Sequence, residues 1–351
     1  MFKRKVINKV KNNGFIFEED NPKDYVSALG AVPTTPLASP KIIFPSGHGW
    51  HDETVRAKAE MQFNRNFDSY SCVIFTISKA LVAYLKKVYG VEVSVAEMFN
   101  AHVGLVRPNY GTTVRNGLEG FRKNGWVEDS VYPFTKDTTL QQYFATPPKS
   151  IFLKAEGKLT EWKVNWEVID TSGNVNHSLI KESLKVAPVV ASGFAWASYY
   201  GEGVYYDYNY QANHAFLIDD YADAKDHDLL VYDSYPLDNN FDEDSEDDEF
   251  VKKLAKNYRV WSAHRVWLTP VNPEVNHSLI SKLLNMFKKI SRDTHGGLWF
   301  IKDNKKQKIE NWLHLAGALV DEIGVEKNNL TDEELDKIED TKFFGSFQIF
   351  V

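Results

Sequence analysis

The chain has 351 residues, a formal net charge of −7 and a single cysteine. The negative balance argues against a nucleic-acid footprint, which needs a basic face, and one cysteine excludes an intramolecular disulfide. No apolar run approaches the roughly 20 residues of a membrane span. The basic start, Met1-Phe2-Lys3-Arg4-Lys5, lacks the apolar stretch of a signal peptide, so cytoplasmic synthesis in a reducing compartment is the simplest expectation.

Residues 1–45 read as an extended arm: Lys and Asn dominate its start, and Pro33, Pro36, Pro40 and Pro45 follow. Ser46-Gly47-His48-Gly49-Trp50-His51 is a turn-rich lead-in. His48 and His51 lack acidic or thiol ligands at a recognised metal spacing, and neither a metal nor another cofactor is expected. Asn66-Phe67-Asp68-Ser69-Tyr70-Ser71 is polar and turn-forming, and Cys72 opens an apolar run with helical spacing at 73, 77, 80, 81 and 84. That helix should end near Tyr89-Gly90. Ser94, with Glu97 in a capping box, predicts a helix over 95–103, and another is expected over about 113–123.

From about 150 the pattern turns β-like. Ile151–Ala155, Trp162–Val168, Pro188–Ser192, Gly203–Tyr206, His214–Ile218 and Leu229–Tyr232 read as strands, with one helix near 177–185. Asp238 to Glu249 is an acidic loop that reads as a solvated insertion and lacks the central Gly of an EF-hand. Tyr258–Trp261 and Val266–Leu268 close the sheet. Beyond Pro270 and Pro273 a helix over 277–290, a hairpin over Leu298–Ile309 and helices near 311–322 and after Thr331 form a separate module, 271–351. The string Asn-His-Ser-Leu-Ile occurs at 176–180 and again at 276–280, a shared helix-start signal and no domain repeat. Helices followed by strands make an α+β arrangement.

Cys72 in the first turn of a buried helix has two readings. Unpaired backbone N–H groups and the helix dipole favour a thiolate there; equally, a free cysteine packs as a small hydrophobe. A thiolate nucleophile needs a base, and the base an orienting group. His214 starts an apolar strand, and Asp233 ends the next one if the two strands pair. A carboxylate there would fix the imidazole tautomer and stabilise the imidazolium.

With those residues in place, the chain resembles the papain-like cysteine peptidases. In that family a cysteine opens a long helix, and a histidine follows roughly 130–150 residues downstream. Asn213-His214-Ala215-Phe216, Ala187-Pro188-Val189-Val190, Tyr199-Tyr200-Gly201-Glu202-Gly203-Val204-Tyr205 and Asn124–Phe134 match further landmarks, over about 60–268. The resemblance implies a papain-like domain over 46–270, with a helical part (about 60–135) and a β-barrel-like part (about 150–268) around a cleft. It implies a Cys72–His214–Asp233 triad acting on a peptide or protein substrate, with Gln62 or Asn66 as the oxyanion donor. Gly111 would lie on the substrate-binding strand and Tyr235 beside the triad. Ser69-Tyr70-Ser71-Cys72-Val73 departs from the family's Cys-Gly-Ser-Cys-Trp, and residues 1–60 hold no long amphipathic helix of the inhibitory propeptide type. The layout also resembles papain-like proteins of bacteriophages and bacteria, which implies virion or cell-surface partners. A structural or binding protein with little activity, and a peptidoglycan cross-link hydrolase, stand as the other readings.

Overall fold

The computed structural model describes residues 14–17, 42–58, 60–195, 204–205, 211–222, 224–236 and 250–271, and the backbone of 290–292, 298–302 and 305–309. The acidic loop, the basic N-terminal residues, the second Asn-His-Ser-Leu-Ile string and the helices expected near 311–322 and after Thr331 lie outside these residues. The chain divides into two compact units, 1–274 and 275–351.

The first unit opens its regular structure with α1 (Cys72–Tyr84), continued by a π-helical turn (Leu85–Tyr89) that stops at Gly90 in the left-handed conformation. Val73, Ile74, Phe75, Ile77 and Leu81 of α1 are fully buried, so this helix is core on nearly every face. Helices α2 (Glu97–Val103) and α3 (Val114–Asn124) follow, then α4 (Leu140–Tyr143) and α5 (Lys149–Glu161). Thr113 caps α3 by accepting the Asn116 N–H, and Thr139 with Gln142 forms a capping box on α4. Two expectations fail here. Ser94 does not cap α2; its hydroxyl and N–H serve Glu128, and Ala96 is the N-cap residue. Ile151–Ala155 lies in helix α5 and not in a strand: Ile151 and Ala155, four residues apart, are buried, while Leu153, which strand alternation would bury with them, is exposed.

The sheet is built from β1 (Trp162–Asp170), β2 (Val189–Gly193), β3 (Val204–Tyr205), β4 (His214–Tyr221), β5 (His227–Tyr232), β6 (Val251–Ala255) and β7 (Val260–Pro270). Helix α6 (His177–Leu184), capped by Asn176, sits between β1 and β2 in the chain. The strand order is β1-β7-β2-β4-β5-β6-β3. All pairs are antiparallel except β3 with β6. The two closing strands expected over Tyr258–Trp261 and Val266–Leu268 are one strand, β7, and β6 was not legible as a strand. Helix α1 packs chiefly on β4 and β7. Its N-terminus, at Cys72, therefore meets the start of β4, at His214.

In the second unit β8 (Ile290–Arg292), β9 (Leu298–Lys302) and β10 (Lys305–Ile309) form an antiparallel sheet in the order β10-β9-β8. The β9–β10 hairpin corresponds to the one read from sequence. Ile290, expected to end a helix, begins a strand.

Candidate active site

The backbone turns sharply just before the cysteine: Tyr70 holds φ +56, a left-handed value that costs a non-glycine residue energy. The Ser71 hydroxyl donates to the Ser69 carbonyl and accepts from the Tyr143 hydroxyl at 2.8 Å, so it does not cap α1. Cys72 is left as the first helical residue, wholly buried. Its Sγ accepts the Ala215 N–H at 3.4 Å, which brings the thiol to the residue beside His214.

β4 and β5 pair as neighbours, with Leu217 opposite Tyr232. Their ends bring His214 Nε2 within 2.6 Å of Asp233 Oδ1, and both side chains are fully buried. Asp233 Oδ1 also accepts the Ser234 N–H at 2.8 Å, and Oδ2 pairs with the Lys252 ammonium at 2.9 Å. Burial alone would raise the Asp233 carboxyl; the Lys252 and His214 charges overcome it and hold the group below the usual carboxylate range. A second lysine, Lys79 of α1, donates to the Asp233 carbonyl. Its ammonium is lowered to about 8 by burial, against the attraction of Asp233 and Glu60.

Gln62 reaches this cluster and Asn66 does not. Gln62 is fully buried; its Nε2 donates to the Tyr235 hydroxyl at 2.7 Å and to Asp68 Oδ1 at 2.9 Å, and its Oε1 accepts from the Ser234 hydroxyl at 2.7 Å. Asn66 instead donates to the Lys136 carbonyl at 3.1 Å, in the loop before α4. Tyr235 packs edge-on against His214, with ring centroids 5.5 Å apart, and its hydroxyl donates to Asp68 Oδ2. Burial and the Asp68 charge push its phenol well up, so it stays a donor.

The cleft is covered. Gly14–Phe17 of the arm lies over Cys72: a Cβ on Gly14 would stand 3.0 Å from Sγ and 2.8 Å from the Tyr70 carbonyl oxygen. Phe15 pairs in parallel with Thr112; the Ile16 N–H donates to the Thr112 carbonyl at 2.9 Å, and the Thr112 N–H to the Gly14 carbonyl at 3.2 Å. Gly111, at φ +73, is required here, since a Cβ would fall 1.8 Å from the Gly14 oxygen. The expected thiolate is therefore not favoured in this state. Burial pushes the Cys72 thiol far up, and the Asp68 and Asp233 charges add to it, against the Ala215 and Val73 N–H groups.

Three participants escaped the sequence reading. Asp68 reads as a turn residue in the sequence, although it accepts from both Gln62 and Tyr235. Gly14 was one residue in an arm. Lys252 carried a weak signal: alternation in Val251–Ala255 puts it on the face of the buried Leu254. His48 and His51 are not brought to the cleft; their Nδ1 atoms pair with Asp220 at 2.7 Å and Asp219 at 2.9 Å on β4.

No protein-family model matches the chain. No curated protein matches it by sequence either. Solved structures do match. Xylellain, a cysteine protease from Xylella fastidiosa, aligns at TM-score 0.53 and 14% identity over 75% of this chain and 98% of its own. The digestive procathepsin L2 proteinase from Tenebrio molitor larval midgut aligns at TM-score 0.50 and 17% identity, over 74% of this chain and 78% of its own. The fold is papain-like. In this papain-like fold the helical and sheet halves meet where α1 and β4 begin and β5 ends. Among the described residues no helix is long and apolar enough to cross a membrane.

Proposed function

We propose that the chain is a cysteine-type peptidase or amidase whose cleft is held shut by its own arm. Cys72 attacks a peptide carbonyl, His214 takes the thiol proton and returns it to the leaving amine, and Asp233 orients His214. Gln62 exchanges the Tyr235 hydroxyl for the developing oxyanion, and the Cys72 N–H is the second donor. The observation that carries this reading is the buried His214 Nε2–Asp233 Oδ1 contact of 2.6 Å, at the strand ends nearest the thiol. In this reading Nε2 faces Asp233 and Nδ1 is the nitrogen that serves Cys72.

One observation favours a second reading, a binding or structural protein on the same fold: the arm itself fills the groove beside Gly111 and Thr112. Gly14→Leu separates the two, because its side chain has no room between the Tyr70 carbonyl and the cysteine sulfur. Two backbone hydrogen bonds and part of the Phe15 burial are lost with the arm, a release of about 3 kcal/mol or about 100-fold. Labelling of Cys72 by a thiol-directed peptide electrophile should rise by that order in Gly14→Leu and vanish in Cys72→Ala. Equal labelling of Gly14→Leu and Gly14→Leu/His214→Ala would leave the binding reading.

A further inference from the structure

An orienting carboxylate needs one partner, the imidazole, yet Asp233 has a lysine as well. The β5–β6 register puts Lys252 opposite Val231, and the ladder continues as the Asp233 N–H donates to the Phe250 carbonyl at 3.0 Å. Val231, Asp233 and Lys252 thus share one face of the sheet, and the lysine meets the aspartate on the diagonal. Its Nζ lies 2.9 Å from Asp233 Oδ2, at 1% side-chain exposure against 0% for Asp233, and it also donates to the Tyr235 carbonyl. These two contacts fix the ammonium from both ends of the segment Asp233–Tyr235.

We propose that Lys252 is a positioning residue that neutralises the Asp233 carboxylate, so that His214 is oriented by a carboxylate already paired with a cation. A buried carboxylate facing imidazole alone would carry a full charge in a dry site and would grip the Nε2 proton. With Oδ2 paired to Lys252, Oδ1 orients the ring as a milder acceptor, and the proton on the far nitrogen stays available for transfer. Burial works against the Lys252 ammonium, and Asp233 is the charge that supports it. The two side chains therefore stand or fall as a pair. This role rests on the triad reading above, but its test does not require turnover.

The test is proton NMR of the His214 Nε2–H, assigned by its loss in His214→Gln. Lys252→Met should move that resonance downfield, because the carboxylate loses its competing cation and the imidazole hydrogen bond strengthens. Lys252→Gln, which keeps a donor near Oδ2 and drops the charge, is the second variant if Lys252→Met does not fold, and carries the same downfield expectation. A resonance that stays in place or moves upfield in a folded Lys252 variant overturns the proposal and leaves the peptidase reading standing. Failure of the arm-released Gly14→Leu variant to hydrolyse peptides would sink the peptidase reading and leave the NMR result intact.

Discussion

Two buried polar clusters share helix α1, and they are built in opposite ways. At its start, Asp233 has a partner for each oxygen: His214 and the Ser234 N–H on one, Lys252 on the other. Farther along, Ser78 and Lys79 face a cavity of about 430 Å³ that is also lined by Glu60, Glu97 and Asp129. There the Ser78 hydroxyl and Glu97 Oε1 are buried without a hydrogen-bond partner. Burial raises Glu97 well above the usual carboxylate range, with the charge and hydrogen bond of Glu60 adding to it. The same low-polarity interior therefore fixes charges in the first cluster and suppresses them in the second. The first cluster sets opposite charges in contact, whereas the second sets Glu97 against the like charge of Glu60.

The largest expected effect comes from breaking the paired cluster. Asp233→Asn deprives Lys252 of its buried counter-charge and should cost about 3–5 kcal/mol in denaturant unfolding. Loss under 1 kcal/mol would show that the pair is not a stabilising unit. His264 on β7 belongs with the suppressed groups: burial, then the Arg115 charge, lowers it from 6.5 to about 4, and its Nδ1 has no partner. The native state keeps this ring neutral while the unfolded chain protonates it. Stability should therefore fall by about 3 kcal/mol as pH drops from about 6.5 to about 4. His264→Gln should flatten that part of the stability–pH curve.

Glu97 runs the other way. Its raised value means the native state binds a proton the unfolded chain releases above about 4.5, so stability is lost as pH rises from there. Glu97→Gln keeps the shape and removes the titration. It should be neutral or stabilising by about 1 kcal/mol at pH 7, and less so at pH 5. The smallest effect is Ser78→Ala, which deletes an unpartnered hydroxyl and should stabilise by under about 1 kcal/mol in the same assay. A destabilising result would mean that the cavity supplies that hydroxyl with a partner such as water.

Elements were legible where local pattern and burial agree. The α1 span follows from apolar spacing plus a glycine stop, and β1, β2, β4 and β5 from short apolar runs between turn residues. Pattern misled at Ile151–Ala155, where five mostly apolar residues suit either period and only the partner surface chooses between them. β6 was missed because two lysines interrupt it, and one of these is buried by an ion pair that no local window contains.

Sequence by itself determined the papain-like order of landmarks, the position of Cys72 at a helix start, the strand that begins at His214 and the one that ends before Asp233. These rest on residue types at short range, which periodicity and turn chemistry report directly. Tertiary structure decided the rest. It chose Gln62 over Asn66 as the amide beside Tyr235, brought Lys252 onto Asp233, and laid Gly14 across the cysteine. Each of these joins residues far apart in the chain, and their energies come from desolvated charges and close backbone contacts that exist only once the sheet and α1 have packed.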